Sequence, residues 1–262
     1  GNAVECDMER KEVLSSERFY VTVKKMLDYY GCNAFAAPCP DACATRRLNQ
    51  ERMTFCLTHS LLGEMGIPSA CEYDIPACLS IAILSCLVDK PAYMGNTTHD
   101  AKAIATGRYG LSPFFHTDIN DSCMDVVKAD PDNVILTWHA VPRRNMQGWD
   151  APKAPYAIRP FAASGFGATI RYDFNRDVGQ EITMCRISPD CKTLFVAKGE
   201  IVGGVGFGDY SCSEGVFFRV KDGNDFFQKQ LEVGNHVPLV YGDCFDQVCA
   251  LGKHLGLQVI TA

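Results

Sequence analysis

A glutamate and two histidines stand where the ends of strands could bring them together. Glu72 follows the apolar run Ile67-Pro68-Ser69-Ala70-Cys71 and belongs to Cys71-Glu72-Tyr73-Asp74, a strand-to-helix turn carrying two carboxylates. In an open parallel sheet, ligands gather beyond the carboxyl ends of the strands. A glutamate placed there has no capping duty, and burying it without a partner is costly. His139 follows the apolar run Val134 to Trp138, and His236 follows Val233-Gly234-Asn235, so both read as residues at strand ends. One carboxylate and two imidazoles make a mixed site able to hold a divalent cation such as Mn²⁺ with positions left open. Plainer readings stand beside this one. Asp74, before Ile75-Pro76, is a good helix N-cap, and a single histidine is more often a hydrogen-bonded structural residue than a ligand. His59 and His254 fall inside amphipathic helices and read as structural, whereas His99 and His116 lie in a loop-rich stretch that does not settle their role.

Other chemistries find little support. Gly203-Gly204-Val205-Gly206-Phe207-Gly208 lies between strands rather than opening a helix, so the dinucleotide fingerprint fails on context, as does Ala163-Ser164-Gly165-Phe166-Gly167. There is no phosphate-cradling Gly-x-x-x-x-Gly-Lys-Ser/Thr and no Gly-x-Ser-x-Gly elbow. Fourteen cysteines in 262 residues are too few for a disulfide scaffold. No Cys-x-x-Cys pair occurs, and Cys39 with Cys43, like Cys71, Cys78 and Cys86, recurs at helical intervals. Buried, reduced thiols acting as small hydrophobes are the expectation.

The elements that must position the candidates change character along the chain. Residues 9 to 30 show helical spacing of Val13, Phe19, Val23, Met26 and Leu27, with Gly31 as a left-handed cap. A short strand over 32–37, a helix from about Glu51 to Glu64, a strand over 67–71 and a helix from Ile75 to Val88 follow. Pro76 is tolerable because it falls in the first turn of its helix. This alternation predicts an incomplete parallel α/β, Rossmann-like domain over residues 1–90. From Pro91 the pattern turns strand-rich: Val134 to Trp138, Ala168 to Tyr172, Glu181 to Ile187, Lys192 to Val196, Glu200 to Val205, Gly215 to Val220 and Phe226 to Val233 read as strands. An antiparallel β-barrel-like or sandwich domain over 91–262 is expected, giving an α+β chain overall. A helix from Asp243 to Leu255 and a strand from Leu257 to Ile260 close it.

Composition narrows the function classes. With 25 Lys and Arg against 31 Asp and Glu, a net charge of −6, there is no basic face for a phosphate backbone, and nucleic acid is disfavoured. The longest apolar stretch, Ile75 to Val88, is shorter than the roughly 20 residues of a membrane span. The first residues lack the basic and apolar regions of a signal peptide, which predicts a cytoplasmic protein.

The run Gly66-Ile67-Pro68-Ser69-Ala70-Cys71-Glu72-Tyr73-Asp74, an apolar helix, and then Lys90-Pro91-Ala92-Tyr93-Met94-Gly95-Asn96 resembles the metal-site core of the L-fucose and L-arabinose isomerases. Glu181 to Ile187, Lys198-Gly199-Glu200-Ile201, and Gly234-Asn235-His236 with Tyr241-Gly242-Asp243 are similar to the closing β-domain of that family. The resemblance runs from about Gly31 to the end and covers the later half of a typical member, which implies a fragment of a longer isomerase. It also implies a monosaccharide substrate, Mn²⁺ or another divalent cation held weakly, an aldose-ketose isomerisation through an enediol, and a homo-oligomer at full length. Glu72 matches the family's metal-binding glutamate, His236 its carboxyl-terminal histidine, and His139 the additional histidine of the arabinose branch. The second carboxylate falls at Asn96, where an amide can ligate but cannot accept a proton. Glu72 would then be the base, with Asp74 or a metal-bound water as its complement. The alternative is a non-catalytic carbohydrate-binding homologue that lost its chemistry at Asn96.

Overall fold

A computed structural model describes residues 3–99, 101 and 119–262, so His116 lies outside the described residues. The chain opens with β1 (Glu5–Cys6), α1 (Arg10–Tyr30), β2 (Phe35–Ala36), α2 (Cys39–Ala44), α3 (Arg47–Glu51), α4 (Cys56–Glu64), β3 (Ser69–Ala70) and α5 (Ile75–Val88). Gly31 ends α1 at φ 63°, the left-handed cap that the spacing predicts. The helix expected from about Glu51 to Glu64 begins only at Cys56, as α4, because Arg52 adopts φ 49° and ends the preceding α3 at Glu51. Among these described strands only β2 and β3 pair with each other, in parallel, with Phe35 opposite Ser69 and Ala36 opposite Ala70, while β1 pairs in parallel with residues 157–158 later in the chain.

Beyond α5 come β4 (Tyr93–Thr98), α6 (Asp121–Ala129), β5 (Val134–Trp138), β6 (Tyr156–Pro160), β7 (Ala168–Tyr172), β8 (Glu181–Ile187), β9 (Thr193–Val205), β10 (Gly215–Arg219), α7 (Gly223–Gln230), β11 (His236–Tyr241), α8 (Phe245–His254) and β12 (Gln258–Thr261). Strands β10, β5, β4, β11, β8 and β9 pair antiparallel in that order, and β9 pairs back onto β10. The protein is therefore a mixed α/β chain with a closed six-stranded antiparallel barrel and, among the described residues, eight α-helices. Closure removes the open edges that a flat sheet would expose. A parallel β12 lies outside β9, and β1, β6 and β7 form a separate three-stranded sheet.

Two strand assignments change. Lys192 to Val196 and Glu200 to Val205 are one strand, β9, whose first half pairs with β8 and whose second half pairs with β10. Gly199 permits the switch, since a Cβ there would lie 2.5 Å from the Arg219 carbonyl oxygen. The segment read as a strand over Phe226 to Val233 is mostly helix α7. Asp222 caps it by accepting from Asp225 N–H at 3.0 Å, and Gly223, Phe226 and Gln230, at helical intervals, are its buried positions. Helix α6, not expected from the sequence, is capped by Asn120 accepting from Cys123 N–H at 2.8 Å.

One buried core joins the barrel to the helices before it. Ala77, Ile81 and Leu84 of α5 pack with Met184, Leu239 and Val240 of the barrel strands. Burying side chains such as Ile81 and Leu84 contributes roughly 1.5–3 kcal/mol each, and it seats the N-terminus of α5 against β8 and β11. No described helix is long and apolar enough to cross a membrane. The thirteen described cysteines are free thiols.

The loop after His139 is stitched to α4 by Glu64, whose buried carboxylate accepts from Arg144 Nε and Nη2, each at 2.6 Å, and pairs with Lys153 Nζ at 3.0 Å. Burial alone would raise its pKa, but Arg144 and Lys153 outweigh burial and hold the carboxyl below its ordinary value. A depressed carboxyl stabilises the fold fully above its unfolded pKa, and the contribution is lost as pH falls through the folded value. Glu64→Gln is expected to cost about 1–3 kcal/mol near neutral pH. The difference from wild type should shrink below about pH 4 in chemical denaturation run across pH.

Candidate metal centre

Three segments deliver the three candidate donors. Glu72 sits in the turn from β3 to α5, where Glu72 and Tyr73 adopt φ 59° and 57°. Two consecutive non-glycine residues in the left-handed region cost of order 1–2 kcal/mol each. The turn is held by Tyr73 N–H donating to the Ala37 carbonyl at 2.9 Å and Asp74 N–H to the Cys71 carbonyl at 3.1 Å. His139 directly follows β5, as expected. Its main chain is gripped by the buried Tyr93 hydroxyl, which accepts from His139 N–H at 2.8 Å and donates to the His139 carbonyl at 2.9 Å. His236 is the first residue of β11 rather than the end of a strand, because Val233-Gly234-Asn235 forms the turn out of α7.

The ligand atoms converge. Glu72 Oε1 lies 3.5 Å from His139 Nε2, and Glu72 Oε2 lies 3.5 Å from His236 Nε2. The two rings are 5.4 Å apart between centroids. All three donor atoms lie within 4.8 Å of one another. Two ligands of one cation at 2.0–2.2 Å are separated by at most about 4.4 Å, so a shift of a few tenths of an ångström completes the coordination. His139 and His236 are buried, while the Glu72 side chain is 36% exposed, so the centre opens to solvent on the glutamate side.

The residues fit a cation on chemical grounds. Both Nε2 atoms are buried without a hydrogen-bond partner, which is costly unless something else fills the role. Imidazole and carboxylate together suit Mn²⁺, Fe²⁺, Co²⁺ or Zn²⁺. His236 is also oriented from behind, as metal-binding histidines are. Its Nδ1 donates to Asp74 Oδ2 at 2.8 Å, which leaves the Nε2 lone pair facing Glu72.

Asp74 performs several tasks at once. Its side chain accepts from Ala77 N–H at 2.9 Å, the helix N-cap that the sequence indicates. It also takes both Nη atoms of Arg186, at 2.8 and 3.0 Å. Burial opposes its charge, but His236 and Arg186 hold its pKa at about 2. With both oxygens engaged by Ala77, His236 and Arg186, Asp74 is placed to orient His236. Arg186 was not singled out by sequence reasoning. A lone arginine in the apolar strand Glu181–Ile187 is the signal that could have marked it, since a buried guanidinium demands acceptors.

The two imidazoles differ electrostatically. Burial works against charging His139, yet Cys212 and Glu72 beside it push its pKa up to about 9. Burial lowers the pKa of His236, with His139 adding to the effect and Asp74 opposing it. Glu72 is held below its ordinary value, chiefly by His139.

Asn96 lies in register opposite both His236 and Trp138. Its amide oxygen accepts from Asn235 Nδ2 at 2.6 Å, so the fourth candidate stands beside the centre with its oxygen engaged. His59 is buried and paired with Ser69 Oγ at 2.6 Å, and His254 is exposed at the end of α8, both apart from the three donors. His99 stacks on Phe227 at 3.6 Å. No protein-family model matches the chain, and no curated protein matches it.

Proposed function

We propose that this protein holds a divalent cation, Mn²⁺ in the first instance, between Glu72, His139 and His236, and interconverts the aldose and ketose forms of a monosaccharide. The observation that carries the reading is the placement of each Glu72 oxygen 3.5 Å from a different, otherwise unpartnered Nε2. What the cation supplies when bound is electrostatic stabilisation of negative charge on the carbonyl and neighbouring hydroxyl oxygens of the sugar. Glu72, ionised and partly exposed, faces the open side, where it can accept a proton from a bound sugar. Asp74 and Arg186 fix His236, and Tyr93 fixes the main chain of His139. The β2–β3 pair with its flanking helices is, in this reading, the remnant of a Rossmann-like layer.

Asn96 favours a second reading, a carbohydrate-binding homologue without turnover, because an amide whose oxygen is already engaged supplies neither charge nor base. Incubation with Mn²⁺ and L-fucose or L-arabinose, followed by assay for the ketose, separates the two. Asn96→Asp adds an anionic oxygen and is expected to tighten Mn²⁺ about tenfold or more and to raise ketose formation. Cation and sugar binding without turnover in both forms would favour the binding protein. Absence of cation binding would end both readings.

A further inference from the structure

Arg143 is fully buried and carries its charge without a carboxylate partner. The neighbouring acid, Glu64, is saturated by Arg144 and Lys153. The guanidinium of Arg143 donates instead to two main-chain carbonyls, through Nη1 to Val141 and through Nη2 to Ser69 at 3.3 Å, and its Nε has no partner. Space for it comes from Gly63 of α4, where an added Cβ would lie 1.7 Å from Arg143 Nε. An apolar side chain would fill this volume at lower cost, because a buried cation is expensive. What the fork adds is a connection. Val141 is two residues past His139 and is folded back on it, its N–H donating to the His139 carbonyl at 2.8 Å. Ser69 is three residues before Glu72, in the strand that leads into the strained turn.

We infer that Arg143 is a positioning residue of the cation centre, its planar fork tying the segment that leaves His139 to the strand that leads into Glu72 and so setting the spacing of two ligands. The inference rests on the cation reading above. Two effects of Arg143 oppose each other. Its charge repels a nearby cation, whereas its geometry pre-sets the ligands. The geometric effect requires the guanidinium itself, since a lysine ammonium is a point charge that cannot present parallel N–H groups to two carbonyls.

The test is titration with Co²⁺ alone, followed by its visible absorption band, and with Mn²⁺ alone, followed by electron paramagnetic resonance. Wild type, Arg143→Lys, Arg143→Met and Gly63→Ala are compared well below the melting midpoint of each. Expected are at least tenfold weaker binding and an altered Co²⁺ band in Arg143→Lys, although its charge is kept. Gly63→Ala, which displaces the guanidinium while leaving Arg143 in place, should behave likewise and guards against a failure of the Arg143 variants to fold. Unchanged affinity and band in Arg143→Lys and Gly63→Ala, or tighter binding in Arg143→Met, would overturn the inference while leaving the cation centre standing. Wild type that binds neither ion would overturn the cation reading and this inference with it.

Discussion

Replacing Glu72 with glutamine is expected to weaken Mn²⁺ or Co²⁺ binding by more than about 100-fold, beyond the roughly 10–100-fold that follows loss of a group behind a ligand. The carboxylate faces both histidines, one oxygen to each, and glutamine keeps the shape while removing the charge. A thermal melt makes the difference visible. Wild type at a cation concentration 100 times its Kd gains about 2.7 kcal/mol, and at about 2–4 °C per kcal/mol for a chain of this size the midpoint rises by about 5–10 °C. Glu72→Gln at the same concentration should show almost no rise. The pH dependence follows from His139, whose pKa is pushed up to about 9. Below that value the cation must displace a proton from the imidazole, so affinity rises by about tenfold per pH unit between pH 6 and 8. An equal cation-induced shift in Glu72→Gln would remove Glu72 from the centre.

How much of this could be read from the chain depends on whether each feature is local. Glu72 and His139 were legible because each directly follows an apolar run, and the cap at Asp74 because Ile75-Pro76 announces a helix. Helix α5 and strands β5, β7 and β8 were placed as apolar runs of suitable length bounded by turn residues. A barrel-like antiparallel domain was legible in the run of short strands, but the pairing that closes it was not, since β9 meets β8 along its first half and β10 along its second across Gly199. Helix α7 is ambiguous in the sequence because Phe226, Phe227 and Val233 satisfy a strand pattern as well as a helical one, and the Asp222 cap decides between them. The groups behind the ligands lay furthest from view. Arg186 meets Asp74 across 112 positions, and Arg143 meets Ser69 across 74. No short-range spacing encodes either contact. Both are nevertheless costly charges in apolar surroundings, and such charges mark places where the fold must supply acceptors.

Arg186→Met should have the largest effect on the fold. The guanidinium donates to Asp74 twice, to the Val233 carbonyl at 2.7 Å and to the His236 carbonyl at 2.6 Å. The Arg186 side chain is buried and that of Asp74 largely so, 5% and 13% exposed. Removing one member strands the other, at a cost of about 3–5 kcal/mol, or roughly 6–20 °C in the melting midpoint. Only His236 and the Ala77 N–H would then oppose burial, and the pKa of Asp74 should rise from about 2. In wild type this depressed carboxyl stabilises the fold above its unfolded pKa of about 3.8 and loses its contribution as pH falls toward 2. The variant should show a weaker acid-side slope. Adding Asp74→Asn tells structure from function. The amide still caps α5 and no longer leaves a buried anion, so the double variant should recover a large part of the stability. It should not recover cation affinity, because His236 Nδ1 no longer faces a carboxylate and Nε2 loses the orientation and basicity that the carboxylate confers. A double variant that regained stability and bound Mn²⁺ as tightly as wild type would show that Arg186 and Asp74 serve the fold alone.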